Sequence, residues 1–244
     1  MSFFITGTGT GVGKTIVTAA LAAWFAARGE SVCVYKPLQT GSSDATRPED
    51  PEMVMRLTQT TPQTTTDGVA GCVETFCSYC LPEPLAPLAA DKEGIIRPEQ
   101  CLADLKQLQS RYTRVLVEGA GGIRVPVTRN TDMLDLIRQF GLPVVVVTHP
   151  GLGGINHTLL TVDALLGQGL DVAGVIVSAG SINTPDVASQ SFLPTIQPFL
   201  RVPVLGALPS FCLEDGLFTQ PETLSLVDPL GTALLHYTDC SRTL

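Results

Sequence analysis

One stretch limits the architecture more than any other: Thr6-Gly7-Thr8-Gly9-Thr10-Gly11-Val12-Gly13-Lys14-Thr15, set between an apolar run at Phe3–Ile5 and a helix-like segment from Lys14 to Arg28 that Gly29 closes. Glycines at 7, 9, 11 and 13 free the backbone to turn its N–H groups inward, and the helix N-terminus behind them adds positive potential, so strand, loop and helix together form a cradle for phosphate. Lys14 places a point charge near the β- and γ-phosphates of a nucleotide, and the Thr15 hydroxyl suits Mg²⁺. The spacing is a variant, because Thr8 and not glycine stands five positions before Gly13. A dinucleotide fold fits less well: Val12 stands where that fingerprint needs its third glycine, and the second strand ends in Lys36 instead of an acid.

Further apolar runs at Val32–Tyr35, Val115–Val117, Val144–Val147, Val172–Val177 and Val202–Leu205 read as strands buried on both faces. Helical spacing separates them at Pro98–Arg111, at Met133–Phe140 with Gly141 closing, at Ile155–Gln168 and at Val187–Phe199. Strand and helix in alternation predict crossover connections and a mainly parallel central sheet between helical layers, an α/β three-layer fold over residues 1–244 as one domain. The Thr-, Pro- and Asp-rich region from Gln39 to Pro98 reads as an irregular excursion with one short helix near Met53–Leu57, and the segment from Leu213 onward has weak periodicity.

Composition excludes several classes. With 15 Lys+Arg against 23 Asp+Glu and a net charge of -8, the chain lacks the basic face of a nucleic-acid binder. Its longest apolar stretch, Ile16–Phe25, is too short to span a bilayer and is broken by Thr18, and no secretory signal opens the chain, so a cytoplasmic setting is expected. Seven cysteines then read as reduced thiols, and the single C-x-x-C of Cys77 and Cys80 has no second pair to complete a zinc site.

Two more segments carry chemistry. Lys36-Pro37-Leu38-Gln39-Thr40-Gly41 follows the second strand directly, which sets an ammonium at the carboxyl edge of the sheet, where ligands of such folds sit. Arg114-Val115-Leu116-Val117-Glu118-Gly119-Ala120-Gly121-Gly122 is an apolar strand ending in a carboxylate and a glycine turn, the form of a Walker B element able to hold Mg²⁺. Asp50, in the polar loop before the Met53–Leu57 helix, is the other candidate carboxylate.

Together with Gly154-Ile155-Asn156-His157, these motifs resemble dethiobiotin synthetase, a P-loop NTPase-like family, from about residue 3 to residue 210; Thr75-Phe76 through Pro87 and Leu205-Gly-Ala-Leu-Pro209 fit as well. The resemblance implies the ATP- and Mg²⁺-dependent joining of CO₂ to 7,8-diaminononanoate, giving dethiobiotin, ADP and phosphate. It assigns catalysis to Lys36, Lys14 and Thr10, and the metal to Thr15, Asp50 and Glu118. Nucleotide contacts fall to Gly11, Val12, Gly13, Lys14, Thr15, Asp50, Glu118, Gly119, Ala120, Gly121, Ser178 and Pro209. Thr40 and the turn Gly153, Gly154, Ile155, Asn156 take the diamine, the turn holding its carboxylate across a homodimer interface. Many members carry Asp and Glu where this chain has Gly9 and Gly11, and Asn where it has Ser178, so other nucleoside triphosphates are expected to compete with ATP. A partitioning-type switch ATPase would need a lysine at Gly9, and a cobyrinate synthase would need a glutaminase domain for which 244 residues leave no room.

Overall fold

The computed structural model describes residues 1–42, 44, 46–58, 71–179 and 187–241. Its seven strands are β1 (Phe3–Gly7), β2 (Val32–Thr40), β3 (Val73–Leu81), β4 (Arg114–Gly122), β5 (Val144–Thr148), β6 (Val172–Ser178) and β7 (Val204–Leu208). They form one sheet in the order β3-β2-β4-β1-β5-β6-β7, and every pairing is parallel. Period-two side-chain alternation explains the continuous apolar runs: Phe3, Ile5, Leu116, Val145 and Val147 enter one core, while Phe4, Val115, Val117, Val144 and Val146 enter the core on the opposite face.

The helices are α1 (Lys14–Ala26), α2 (Glu49–Leu57), α3 (Pro87–Ala90), α4 (Pro98–Arg111), α5 (Met133–Phe140), α6 (Gly154–Gly167), α7 (Val187–Ile196) and α8 (Pro221–Ser241), with short 3₁₀ turns at Gln197–Phe199 and Leu217–Thr219. α1, α2 and α8 pack on the first core face, and α4 and α5 on the second. At the start of α5, Asp132 and Asp135 exchange backbone and side-chain hydrogen bonds as a capping box, and Gly141 ends the helix at φ 61°.

Three expectations need correction. The Gln39–Pro98 region is not an irregular excursion, since it contains β3 at the sheet edge and the short α3; residues 59–70 of that region lie outside the described ones. Between Val73 and Leu81, β3 holds only polar residues, aromatics and cysteines, and with a neighbour on one side only the strand is just partly buried, so it lacks an aliphatic signature. The C-terminal segment, which the sequence left without an assignment, forms α8, whose Val227, Leu230 and Leu234 pack into the core beside Trp24 and Phe25. Lys36 does not follow β2 but lies inside it, because that strand runs on to Thr40, and Glu118 likewise lies inside β4, which continues through the glycines to Gly122.

Candidate active site

Parallel strands deliver their carboxyl ends to one edge of the sheet, and the site is assembled there. β1 passes into the glycine loop at Gly7, where a Cβ would meet Val12 Cγ2 at 2.7 Å. Gly13 caps α1 at φ 95°, and a Cβ there would lie 2.3 Å from Ser178 Oγ. Only glycine satisfies both the backbone angle and the approach of β6. Lys14 opens α1 and folds back, its Nζ donating to the Gly9 carbonyl at 2.9 Å. Burial, helped by the Lys36 ammonium, lowers the Lys14 pKa to about 8 against the opposing pull of Glu118 and Asp50.

β2 and β4 pair only as far as Tyr35 and Val117. Beyond that point β2 stays with β3, and Glu118 pairs with Ile5 of β1, so the two strands part. Lys36 and Glu118 flank the fork. Lys36 Nζ lies 2.7 Å from Glu118 Oε1, 2.5 Å from Asp50 Oδ2 and 3.4 Å from the Gly119 carbonyl. Burial opposes its charge, but the two carboxylates outweigh burial and raise its pKa, so it remains an ammonium. The Thr15 hydroxyl donates to the same Glu118 oxygen at 3.0 Å. Glu118 Oε2 is buried without a hydrogen-bond partner among the described residues, an unused acceptor that calls for a cation or donor. Asp50 belongs to the first turn of α2, not to a loop ahead of it.

A cavity of about 840 Å³ opens on this cluster, lined among others by Thr10, Gly11, Gly13, Lys14, Thr15, Lys36, Thr40, Asp50, Glu118, Ala120 and Gly121. Its size suits a nucleotide with a small co-substrate. Val12 packs beside the loop as part of the first core, and Gly119 contributes its carbonyl to Lys36. Ser178 is buried against Gly13, Pro209 is exposed just after β7, and neither lines the cavity. Gly153, Gly154, Ile155 and Asn156 also stand outside it, at the start of α6: Gly153 is the N-cap at φ 85°, Ile155 packs on the small cluster of Val177, Phe192 and Ile196, and Asn156 is exposed.

Sequence reasoning missed Gln39, whose Oε1 accepts from the Asp50 backbone N–H at 3.4 Å while its Nε2 donates to the Thr40 carbonyl. It ties the start of α2, and with it Asp50, to β2. It also missed the apolar wall of Ile16, Met53, Pro84, Leu85, Phe211 and Leu213. The Pro84-containing motif was a signal for part of that wall; Phe211 and Leu213 come from a stretch whose pattern carried none.

An AAA domain family profile matches residues 1–212. The ATP-dependent dethiobiotin synthetase BioD of Bacillus cereus (strain G9842) is 38% identical over 224 residues, covering 91% of this chain and 87% of that protein. Among solved structures, a ParA family ATPase from Chlorobium tepidum TLS superposes with a TM-score of 0.58 at 12% identity, over 96% of this chain and 97% of the other. A cobyrinic acid a,c-diamide synthase from Mycobacterium smegmatis gives 0.56 at 15% identity, over 98% and 95%. At such identities these two establish the P-loop NTPase-like fold and nothing finer. That relationship over 91% of the chain, joined to a glycine loop, Lys36 and Glu118 converging on one cavity, places the chain in the ATP-dependent dethiobiotin synthetase family.

Proposed function

We propose that this chain makes dethiobiotin from 7,8-diaminononanoate, CO₂ and ATP as a step of biotin biosynthesis, acting as one catalytic unit in the cytoplasm. The observation that carries the reading is the convergence of Lys14, Thr15, Lys36, Asp50 and Glu118 on one cavity. In the reaction, an amine lone pair attacks CO₂, forming a C–N bond and shedding a proton to give a carbamate. A carbamate oxygen then attacks the γ-phosphorus as the bridging P–O bond to ADP breaks. The second amine attacks the carbonyl of the mixed anhydride, the C–O bond to phosphate breaks, the amine's proton leaves with the phosphate, and the cyclic urea closes.

Each residue has a defined task within this scheme. The Gly11–Thr15 backbone and Lys14 hold the phosphates and offset charge on the transferring group. Lys36, kept cationic by its two carboxylates, stabilises the carbamate and the anhydride formed from it. Thr10 and Gly121, where a Cβ would sit 3.5 Å from Thr10 Oγ1, border the reacting centre, and Thr40 meets the diamine. Thr15, Asp50 and Glu118 fit Mg²⁺: all are hard oxygen donors, and Glu118 Oε2 has no other partner among the described residues. Held by these residues, Mg²⁺ would supply positive charge that offsets the negative charge of the phosphates.

The α6 turn, open to solvent and outside the single-chain cavity, supports a homodimer in which it receives the substrate carboxylate at helix N–H groups. Ser178, buried against Gly13, and Pro209 are the family's base-contacting positions; with no amide side chain at 178, CTP and GTP are expected to substitute in part for ATP. The test incubates purified protein with the diamine, bicarbonate, Mg²⁺ and each nucleoside triphosphate, and measures dethiobiotin by mass spectrometry. ATP should give product, and Lys36→Ala should lower the rate by about 100-fold or more, the loss of ~3 kcal/mol expected for a preorganised charge contact. No dethiobiotin with any triphosphate refutes the assignment.

A further inference from the structure

The phosphate loop and the α6 turn stand on different elements, yet a chain of hydroxyls joins them. Thr8 Oγ1 lies 3.3 Å from Thr148 Oγ1, Thr148 Oγ1 lies 2.7 Å from Thr158 Oγ1, and Thr158 Oγ1 donates to the Gly154 carbonyl at 2.6 Å. Thr148 and Thr158 are fully buried, whereas Thr8, in the glycine loop, is half-buried.

Each hydroxyl has one proton to give, so the last link sets the direction of the others. Thr158 has committed its proton to Gly154, hence Thr148 donates to Thr158. Thr148 is then left as acceptor, hence Thr8 donates to Thr148. The chain runs one way, from the loop to the first carbonyl of α6, and its longest and most accessible link is the one at Thr8. An aliphatic residue at 148 and another at 158 would fill these buried positions without any polar requirement. The turn also packs closely on the residue that follows β5, since a Cβ on Gly154 would lie 2.3 Å from the His149 carbonyl oxygen.

We infer that Thr148 is a positioning residue that couples phosphate occupancy of the loop to the geometry of the α6 turn, so that nucleotide and diamine bind cooperatively. A phosphate bound in the loop orders Thr8, the half-buried and longest link of the chain, so that its proton stays on Thr148; polarisation along the hydrogen-bond chain then carries the change to Thr158 and Gly154. The inference rests on the reading that the α6 turn holds the substrate carboxylate.

The test measures diamine affinity by calorimetry with and without Mg²⁺ and a non-hydrolysable ATP analogue, on wild type, Thr148→Val, Thr148→Ser and Asn156→Ala. Wild type should bind diamine at least about fivefold more tightly with the analogue present, a typical coupling between sites. Thr148→Val, equal in shape but without the hydroxyl, should reduce that factor to below about twofold while leaving diamine affinity without nucleotide near wild type. Thr148→Ser should restore it, which a simple packing role would not require. Wild-type coupling in Thr148→Val, or no coupling in wild type, overturns the relay. If that occurs while Asn156→Ala weakens diamine binding, only the relay falls; if Asn156→Ala binds diamine as wild type does, the carboxylate reading falls and the relay's purpose goes with it.

Discussion

Lys14 sits in an environment that works against its own charge. Burial and the neighbouring Lys36 ammonium lower its pKa from 10.5 to about 8. Between those values the unfolded chain holds a proton that the folded one has released, so this residue makes stability rise with pH across the window, and below about 8 the folded state carries the cost of the buried charge. A triphosphate reverses the balance by favouring the ammonium. MgATP binding near pH 9 should therefore take up a fraction of a proton, up to ~1, read from calorimetry in buffers of different ionisation enthalpy. Lys14→Ala should abolish the uptake together with phosphoryl transfer. Uptake of zero in the wild type from pH 8 to 9.5 would contradict this account of Lys14. Lys36 is the opposite case: Glu118 and Asp50 overcome burial and keep it charged, so it should not titrate in that range. Lys14, Thr15 and Glu118 were legible in the sequence because their motifs are local; that Thr15 and Lys36 share one Glu118 oxygen was not.

Among the elements, α8 best separates what local pattern can and cannot reveal. Pro229 and Gly231 interrupt its sequence, and both ordinarily end helices. Gly231 is explained by its neighbour, since a Cβ there would lie 2.3 Å from Trp24 Cδ2 of α1. Asp228 secures the same contact by accepting from Trp24 Nε1 at 2.6 Å and from Arg28, whose guanidinium stacks 3.4 Å from the indole centroid. Gly→Ala in an exposed helix stabilises by up to about 1 kcal/mol. Here the sign should reverse: Gly231→Ala must push α1 and α8 apart, destabilising by about 1–3 kcal/mol, which thermal unfolding would register as a fall of several degrees. An unchanged or raised midpoint would mean that the helices do not meet this closely. β3 was hidden for a related reason, as its membership of the sheet rests on eight register pairs with β2 and not on its own hydropathy.

For the whole molecule, assembly has a definite handle in Leu152, which is 99% exposed in the turn before α6. If two copies meet at this turn, light scattering should give twice the 25.8 kDa chain mass for wild type. Leu152→Glu should shift the protein toward the monomer and weaken diamine binding, since a charge in an interface core is strongly disfavoured. A monomeric wild type would remove the shared site. No helix among the described residues is long and apolar enough to cross a membrane.

The amino-acid sequence alone determined the alternation of buried strands and helices, the glycine loop with Lys14 and Thr15, and the Glu118 carboxylate that follows the apolar run Val115–Val117. Each depends on backbone freedom, side-chain period or spacing within a few residues, and such terms are local. The tertiary structure decided the rest: the parting of β2 and β4 that seats Lys36 between Glu118 and Asp50, the hold of Gln39 on α2, the docking of α8 through Gly231, and the Thr8–Thr148 link across 140 positions. These features depend on strand order and register, which arise only when distant segments compete to bury one another's faces.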